Sequence, residues 1–462
     1  MKKIFKNCSL LLRKGKWDYE VLDKACLGID GDTICFVGKE SDVFERCEIC
    51  SGDTDEAKCP ASYDEIIDAE GALLMPGLVN AHGHAAMTLL RCVGGGLPLQ
   101  RWLNDAIFPV EAVLTGEDVA AGTSLAILEM LAGGTTCFSE MYDFPWEDGE
   151  AIKKSGMKAN LSKVGLCFDP EIDLNEWPRV RECIEHIDGF EDPRDRVRSE
   201  FCFHSEYLTT APFVKRMAEE IKKRPEKNLN VHISETALEH EECIGRHGLT
   251  PIEYFDSFGL LSPRFTAAHC VWVSDGDLEL MKEKGATLVH NPSSNMKLGS
   301  GFAPIAQALE MGVNVAIGTD GTASNDDLDM FEEMRLAALI HKGEENEPTL
   351  LSAGQILDMA TVNGARALGR PDSGELAAGK KADIIALSLD APHMQGPWSS
   401  GSSPLPIEAI VYAAHASDVV MTMVDGEILY DHGRYLTMDK DSVYRGFAEA
   451  LRRIEERLRE KA

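Results

Sequence analysis

The sequence contains no apolar run that approaches the roughly 20 residues needed to span a bilayer. Its first residues, Met1-Lys2-Lys3-Ile4, carry positive charge, but Lys6, Asn7 and Cys8 follow where a signal peptide would have an apolar segment. These two absences predict a cytoplasmic protein without a membrane partner. The sequence also lacks internal repeats and low-complexity linkers.

Positive charge is scarce as well. The 462 residues include 46 Lys and Arg against 77 Asp and Glu, which gives a net charge of −31 at pH 7. A surface this negative repels phosphate backbones and anionic lipid headgroups, so nucleic acid and membranes are poor candidates for partners. A small anionic ligand in a local pocket is still compatible with this charge.

The thirteen cysteines form an odd number and follow no secretion signal, which predicts reduced thiols. One tight cluster, Cys47-x-x-Cys50 with Cys59 nearby, has the spacing of a second metal site. Its polar context, Ser-Gly-Asp-Thr-Asp-Glu, favours a surface insertion with incidental thiols.

From residue 72 onward, short apolar stretches alternate with helical patterns. The stretches that we interpret as strands are Leu74–His82, Thr135–Glu140, Lys158–Leu166, Val197–His204, Leu229–Ile233, Phe265–His269, Ala286–His290 and Val313–Gly318. The helical patterns include Asp118–Ala132, Ala211–Arg224, Asp275–Lys284 and Leu328–His341. Eight strand-then-helix units over about 250 residues predict an α/β protein of the (β/α)8 TIM-barrel class.

Both ends of the chain contain further short strands, which are too few at either end to bury a core alone. We expect them to combine. The predicted domains are a small discontinuous β-sandwich from residues 1–70 and 376–440, the barrel from 71–375, and a C-terminal helix from 441–462. The charged, amphipathic pattern of that helix predicts either a solvated surface or an oligomer contact.

The first barrel strand ends in the sequence Pro76-Gly77-Leu78-Val79-Asn80-Ala81-His82-Gly83-His84. Residues at i and i+2 of an extended strand point to the same side, so His82 and His84 can share one metal ion. Two polar residues at a strand end would give the same pattern. The remaining strands decide between these interpretations.

Polar residues follow the other predicted strands at the same position. They are His204 after the fourth strand, His232 after the fifth, His269 after the sixth, His290 after the seventh and Asp320 after the eighth. The carboxyl ends of barrel strands meet at one face, so six of the 13 histidines are expected to gather there. Two imidazoles from the first strand, a third from the fifth and a carboxylate from the eighth suit one divalent ion, either zinc or else ferrous iron or manganese.

Glu235 lies three residues beyond His232, just past the fifth strand. A carboxylate at this place can transfer protons without binding the metal. The alternative is a surface residue in a loop.

Five stretches together resemble the amidohydrolase superfamily. They are Pro76–Arg91, His232-Ile233-Ser234-Glu235-Thr236, Ala267-Ala268-His269-Cys270, His290 to Leu298, and Gly318-Thr319-Asp320-Gly321-Thr322-Ala323-Ser324-Asn325. Within the superfamily the chain is most similar to the 5'-methylthioadenosine/S-adenosylhomocysteine deaminases. The similarity extends nearly from end to end, to Gly379-Lys380-Lys381-Ala382-Asp383.

The resemblance implies that His82, His84, His232 and Asp320 bind the metal. It also implies that Asp320 takes a proton as water attacks C6 of an adenine ring and that Glu235 gives a proton to ring N1. His269 would stabilise the reacting oxygen by hydrogen bonding. His290 would lie next to the metal-binding residues without binding the metal itself.

The resemblance further implies that Glu111 accepts hydrogen bonds from the ribose hydroxyls and that His204 contacts the substrate. Alternative interpretations are a helix-start carboxylate for Glu111 and a strand-end imidazole without substrate contact for His204. Trp102 would either cover the pocket or pack in the core.

Lys163 stands where an arginine is expected to bind the carboxylate of S-adenosylhomocysteine. Lysine cannot form the bidentate pair that arginine forms. This difference favours 5'-methylthioadenosine, 5'-deoxyadenosine or adenosine as substrate.

Two other functions compete with the adenine-nucleoside deaminase. A guanine or pterin deaminase, or a triazine-type chlorohydrolase, would share the metal set, whereas Glu111 and His204 favour a ribosyl purine. A catalytically inactive binding module would be expected to have lost ligands. The resemblance also implies a homo-oligomer, either a dimer or a tetramer.

Overall fold

The computed structural model describes residues 1–44, 62–175, 177–401 and 403–461. Cys47, Cys50 and Cys59 lie outside these ranges, so the hypothesis of a metal site there stays a prediction. Within the described ranges, no helix combines the length and apolar character required to cross a bilayer.

The elements follow one another in the order that the sequence pattern predicts. The N-terminal elements are β1 (Lys2–Gly15), β2 (Asp18–Asp30), β3 (Thr33–Lys39), α1 (Glu40–Phe44), β4 (Glu65–Asp68) and β5 (Leu73–Pro76). The first half of the barrel region contains β6 (Leu78–His84), α2 (Leu99–Arg101), α3 (Phe108–Glu111), α4 (Gly116–Ala132), β7 (Thr135–Tyr142), α5 (Pro145–Ser155), β8 (Lys158–Lys163), α6 (Pro178–Gly189), β9 (Val197–Phe203), α7 (Ala211–Lys222) and β10 (Leu229–Ile233).

The second half contains α8 (Ala237–His247), α9 (Pro251–Ser257), β11 (Phe265–His269), α10 (Asp275–Lys284), β12 (Thr287–His290), α11 (Pro292–Lys297), α12 (Ile305–Met311), β13 (Asn314–Ile317), β14 (Asp320–Gly321), α13 (Met330–Glu345), α14 (Ala353–Ala360) and α15 (Val362–Ala367). The C-terminal elements are β15 (Ile384–Leu387), α16 (Ile407–Tyr412), β16 (Val419–Val424), β17 (Glu427–Asp431), β18 (Arg434–Tyr435) and α17 (Lys440–Lys461).

The barrel is a closed parallel sheet. Strands β6 to β13 pair with their neighbours in chain order, and every pair is parallel. The eighth strand is divided: β13 pairs with β12, and the two-residue β14 pairs with β6, where Asp320 lies opposite Gly83. The predicted (β/α)8 barrel with an additional sheet is therefore confirmed.

The additional sheet combines both ends of the chain. Its nine strands form one continuous sheet, rather than two separate sandwich layers, because β5 pairs with β1 on one side and with β15 on the other. The strand predicted at Leu74–His82 is accordingly divided between two sheets at Gly77. A Cβ at Gly77 would lie 2.2 Å from the side chain of Thr136, so glycine is required at this crossing.

The C-terminal helix α17 is packed within the same chain on one face. Its Ala450 and Ile454 are buried in one apolar cluster with Trp102 and Leu103, residues of a π-helical turn between α2 and α3. On α4, the fully buried Asp118 pairs with Arg453 and Arg457. The buried face thus belongs to the fold of this chain, whereas only the opposite face is free for solvent or a partner.

Candidate active site

Four side chains converge at the carboxyl ends of the barrel strands. His232 Nε2 lies 3.2 Å from His82 Nε2 and 3.3 Å from His84 Nε2. Asp320 Oδ1 lies 3.1 Å from His84 Nε2 and 3.5 Å from His82 Nε2. All four residues are buried.

These separations suit a metal ion at the centre. Ligands about 2.05 Å from zinc in tetrahedral geometry would be about 3.3 Å apart. The Nδ1 atom of His84 lies 2.7 Å from the carbonyl oxygen of Met141 and donates to it, which leaves Nε2 with its lone pair facing inward. Three imidazoles and one carboxylate in this arrangement could hold a divalent metal ion.

The charge states of His82, His232 and Asp320 fit this set. At His84, by contrast, burial acts to lower the pKa of the imidazole, but the hydrogen bond with Asp320 and the charge of that carboxylate outweigh burial and raise it. Burial lowers the pKa of His82 to about 4 and that of His232 well below its usual value. For Asp320, burial acts to raise the pKa, but its hydrogen bonds with His82 and His84 outweigh burial and hold the pKa well below the usual range. Neutral imidazoles and an ionised carboxylate are the forms that bind metal.

The second oxygen of the Asp320 carboxylate is held by two serines. Ser294 Oγ donates to Oδ2 at 2.6 Å, and Ser324 Oγ donates to it at 3.0 Å. Sequence reasoning missed both serines, although they lie in the motifs around His290 and Asp320. Their hydrogen bonds fix which oxygen of Asp320 faces the imidazoles.

His269 and Glu235 lie beside this cluster. His269 Nε2 is 3.9 Å from Glu235 Oε2 and 4.0 Å from Asp320 Oδ2, while His269 Nδ1 lies 2.9 Å from Asn295 Oδ1. His269 and Asp320 have φ angles of +74° and +60°, in the left-handed region that residues with a Cβ rarely adopt. Such strain is typical of positions that the surrounding structure fixes for function.

Glu235 is 5% exposed, and burial raises the pKa of its carboxyl group. The loop that carries it is held by Glu239, a residue that sequence reasoning missed. Glu239 accepts the backbone N–H groups of Ser234 and Glu235 at 2.9 and 2.8 Å. Burial raises the pKa of Glu239 to about 8.

One pocket opens onto the cluster. Its lining includes His84, His232 and Asp320 together with Glu235 and His269. The opposite walls are largely apolar and are formed by Leu99, Trp102, Leu103, Phe108 and Leu298. Apolar walls opposite a few converging polar groups are the usual lining of a small-molecule site.

A family model described as the amidohydrolase family matches residues 73–429. The chain belongs to the amidohydrolase family. This confirms the resemblance seen in the sequence.

Similar proteins include deaminases of adenine nucleosides. The chain is 39% identical to a 5-methylthioadenosine/S-adenosylhomocysteine deaminase of Acetivibrio thermocellus, over 98% of this chain and 99% of the relative. It is 41% identical to a 5'-deoxyadenosine deaminase of Methanothermobacter thermautotrophicus, over 85% of this chain and 90% of the relative.

Among solved structures, an adenosine deaminase from Xanthomonas campestris with bound zinc is 32% identical, with a TM-score of 0.86 and coverage of 99% of this chain and 98% of that one. An atrazine chlorohydrolase from Arthrobacter aurescens is 22% identical, with a TM-score of 0.83 and coverage of 97% and 100%. The second likeness shows the fold alone.

The amidohydrolase places Glu111 in the pocket wall. Its Oε1 accepts a hydrogen bond from the hydroxyl of Tyr142 at 2.8 Å. Burial raises the pKa of Glu111, while the bond from Tyr142 opposes this effect. Sequence reasoning missed Tyr142, which lies at the end of β7.

His204 and Trp102 also line the pocket. The rings of His204 and His232 are 4.7 Å apart, and burial lowers the pKa of His204 to about 3, so its imidazole is neutral. The indole N–H of Trp102 donates to the carbonyl oxygen of Val93 at 3.1 Å. Trp102 therefore both lines the pocket and packs against the segment that precedes α2.

Lys163 lies outside the pocket lining of the amidohydrolase. Its ammonium group is 3.0 Å from Asp143 and 3.2 Å from Glu182. Asp143 lines the pocket and also pairs with Arg179 at 2.8 Å. Both cations near the third strand are thus engaged by carboxylates, and Arg179 was missed in the sequence.

His290 is buried behind the cluster and does not line the pocket. Neither of its ring nitrogens has a hydrogen-bond partner among the described residues. Its ring lies 5.4 Å from that of His341 on α13.

Proposed function

We propose that the amidohydrolase is a hydrolytic deaminase of adenine nucleosides. It would replace the 6-amino group with oxygen, consuming water and releasing ammonia and the inosine analogue. The observation that carries the proposal is the convergence of the metal-binding set, Glu235 and His269 at one end of a pocket whose wall presents Glu111. The deaminase relatives at about 40% identity support the same substrate class.

His82, His84, His232 and Asp320 would hold one zinc ion, with ferrous iron or manganese as alternatives, and the ion lowers the pKa of water at the reacting carbon. Zinc is favoured because imidazole and carboxylate groups are among its usual ligands and because it can expand to five ligands, which would leave a position for water. The zinc in the Xanthomonas campestris structure supports this choice.

The reaction is a proton-transfer sequence between three residues and the purine. Asp320 accepts a proton from the attacking water, and Glu235, whose raised pKa favours its acid form, donates a proton to ring N1. His269 stabilises the oxygen that has added to C6. Asp320 then passes its proton to the amino group, the C6 hydroxyl gives its proton to Glu235, and ammonia leaves as C6=O forms, so both carboxyl groups return to their starting states.

Glu111 would accept hydrogen bonds from the ribose hydroxyls, and the neutral His204 would contact the substrate. A charged carboxylate binds a diol more strongly than a neutral group does. This assignment favours ribosides over guanine, pterins and triazines, which lack a ribose.

At the 5' end we propose a preference for uncharged substituents. The pocket lining contains no Lys or Arg within the described ranges, and Asp143 is its polar group near the third strand. The carboxylate of S-adenosylhomocysteine would therefore meet no free cation. We expect 5'-methylthioadenosine, 5'-deoxyadenosine and adenosine to be better substrates.

The test is ammonia release from metal-loaded protein with those three ribosides, S-adenosylhomocysteine, guanine and a chlorotriazine. Turnover of the ribosides with a lower kcat/KM for S-adenosylhomocysteine supports the proposal. Turnover of guanine or the triazine alone would refute it. Light scattering on the same sample tests the proposed dimer or tetramer.

A further inference from the structure

A second group of metal-ligating side chains lies away from the active site. His393, His415 and Asp418 each direct one donor atom to a common region, and these atoms lie within 4.8 Å of one another. The His393 and His415 rings are 4.5 Å apart. His393 Nε2 is 2.8 Å from Asp418 Oδ2.

This group is at the opposite end of the barrel from the catalytic centre. A Cβ built on Gly133, two residues before β7 begins, would lie 3.6 Å from the Cβ of Ala416, which is next to His415. The catalytic residues follow the other ends of the strands. The two sites therefore cannot share an ion.

The donors come from two segments whose backbones are fixed. Met394 is 1% exposed and Ala414 is fully buried, so each histidine is adjacent to a residue anchored in the core. Asp418 is 4% exposed, and its Oδ2 accepts the backbone N–H of His415 at 2.8 Å. Metal binding would need little ordering of the chain, which favours affinity.

The charges favour a divalent cation at this place. Asp418 has no Lys or Arg within ion-pair distance in the part of the chain that the structure describes. Protonating both histidines would place two positive charges side by side. A divalent ion between neutral imidazoles and the carboxylate avoids that repulsion and neutralises the buried charge.

We propose that His393, His415 and Asp418 bind a second divalent transition-metal ion, of the zinc type. Two imidazoles and one carboxylate leave a position for water, and both histidines are exposed enough for the ion to enter. The ion would join the 3₁₀ turn Pro392–Met394 to the turn Ala416–Asp418 that precedes β16. Its role would be structural.

The experiment measures zinc stoichiometry on untagged protein after chelation and dialysis. Calorimetric titration with zinc is expected to give two equivalents per chain. The double variant His393→Ala/His415→Ala is expected to bind one, and so is His82→Ala/His232→Ala, which lacks the catalytic set. Zinc should raise the Tm of the latter variant by mass action.

A matched control is His432→Ala, because His432 is also paired with an aspartate, Asp431 at 2.7 Å, but belongs to no group of metal-ligating side chains among the residues that the structure describes. This variant should keep two equivalents. If the double variant fails to fold, His415→Gln provides the same comparison. The proposal would be overturned if the unmodified protein bound one equivalent of zinc, or if replacing His393 and His415 left the stoichiometry unchanged. The contact between His393 and Asp418 would then be only a hydrogen bond.

Discussion

Asp148 provides a direct test of the electrostatics inside the barrel wall. It lies on α5 with no exposed surface, and neither carboxylate oxygen makes a hydrogen bond of ordinary geometry among the described residues. Burial raises the pKa of Asp148 to about 7. The neighbouring Glu140 is also fully buried and adds repulsion if both groups ionise.

The direction in which pH changes stability follows from comparing the pKa of Asp148 in the folded and unfolded chains. In the unfolded chain an aspartate ionises near pH 3.9, whereas in the fold Asp148 stays protonated up to about pH 7. The unfolded state therefore loses its proton first as pH rises, so Asp148 costs stability progressively from about pH 4 to pH 7. The full cost is about 4 kcal/mol, because the pKa is raised by about 3 and each pKa unit corresponds to 1.36 kcal/mol.

Asp148→Asn removes the ionisable group and keeps the size of the side chain. As pH rises from 5.5 to 8, the unfolding free energy of the variant should increase by about 2 kcal/mol relative to that of the unmodified protein. The reason is that the pKa of Asp148 lies about 1.5 above the lower end of this pH range. Urea unfolding followed by tryptophan fluorescence at several pH values measures this difference. The exposed Asp188→Asn variant is the control and should show no such trend.

The reasoning would be refuted if the two stability curves ran parallel from pH 5.5 to 8. It would also be refuted if the unmodified protein became more stable relative to Asp148→Asn as pH rose. Such a trend would require a lowered pKa for the buried carboxyl group.

Three further predictions concern the active site. Glu235→Gln should retain metal by mass spectrometry yet lose about 10²- to 10⁴-fold in kcat, because the proton donor is gone; normal turnover would exclude that role. Glu111→Ala should lower kcat/KM about 100-fold for ribosides, from two lost hydrogen bonds to a charged group, with little change for free adenine; equal losses on both would remove the ribose assignment. Ser294→Ala, which frees one oxygen of Asp320, should weaken zinc about 10-fold or more in a chelator competition, and an unchanged affinity would mean that Ser324 alone orients the carboxylate.

The barrel could be predicted from the sequence because each strand is a short apolar run with a polar residue directly after it. Parallel strands are buried on both faces, so the runs stand out, and the carboxyl ends must meet at one face. His82, His84, His232, His269 and Asp320 could be placed together on this basis alone. The small sheet could be predicted because the strands at either chain end are too few to bury a core alone.

Other features depend on distances that sequence spacing does not encode. The sequence does not show that the predicted first strand is divided at Gly77. Leu73–Pro76 and Leu78–His84 form one apolar run, although they belong to two sheets. Asp143 acts through residues far away in the chain, so nothing local marks it. Ser294 lies in the motif that follows His290, but the spacing does not show that it contacts Asp320. The engagement of Lys163 by two carboxylates likewise arises only from the packing of β7, β8 and α6.

The C-terminal helix has a consequence for how the protein is made. During translation β1 to β5 leave the ribosome first and wait for β15 to complete their sheet, while Trp102 and Leu103 wait for Ile454. The side chains at the strand ends can thus come together before the pocket wall is complete. The ability to bind a small molecule in this pocket would be acquired only after α17 has left the ribosome.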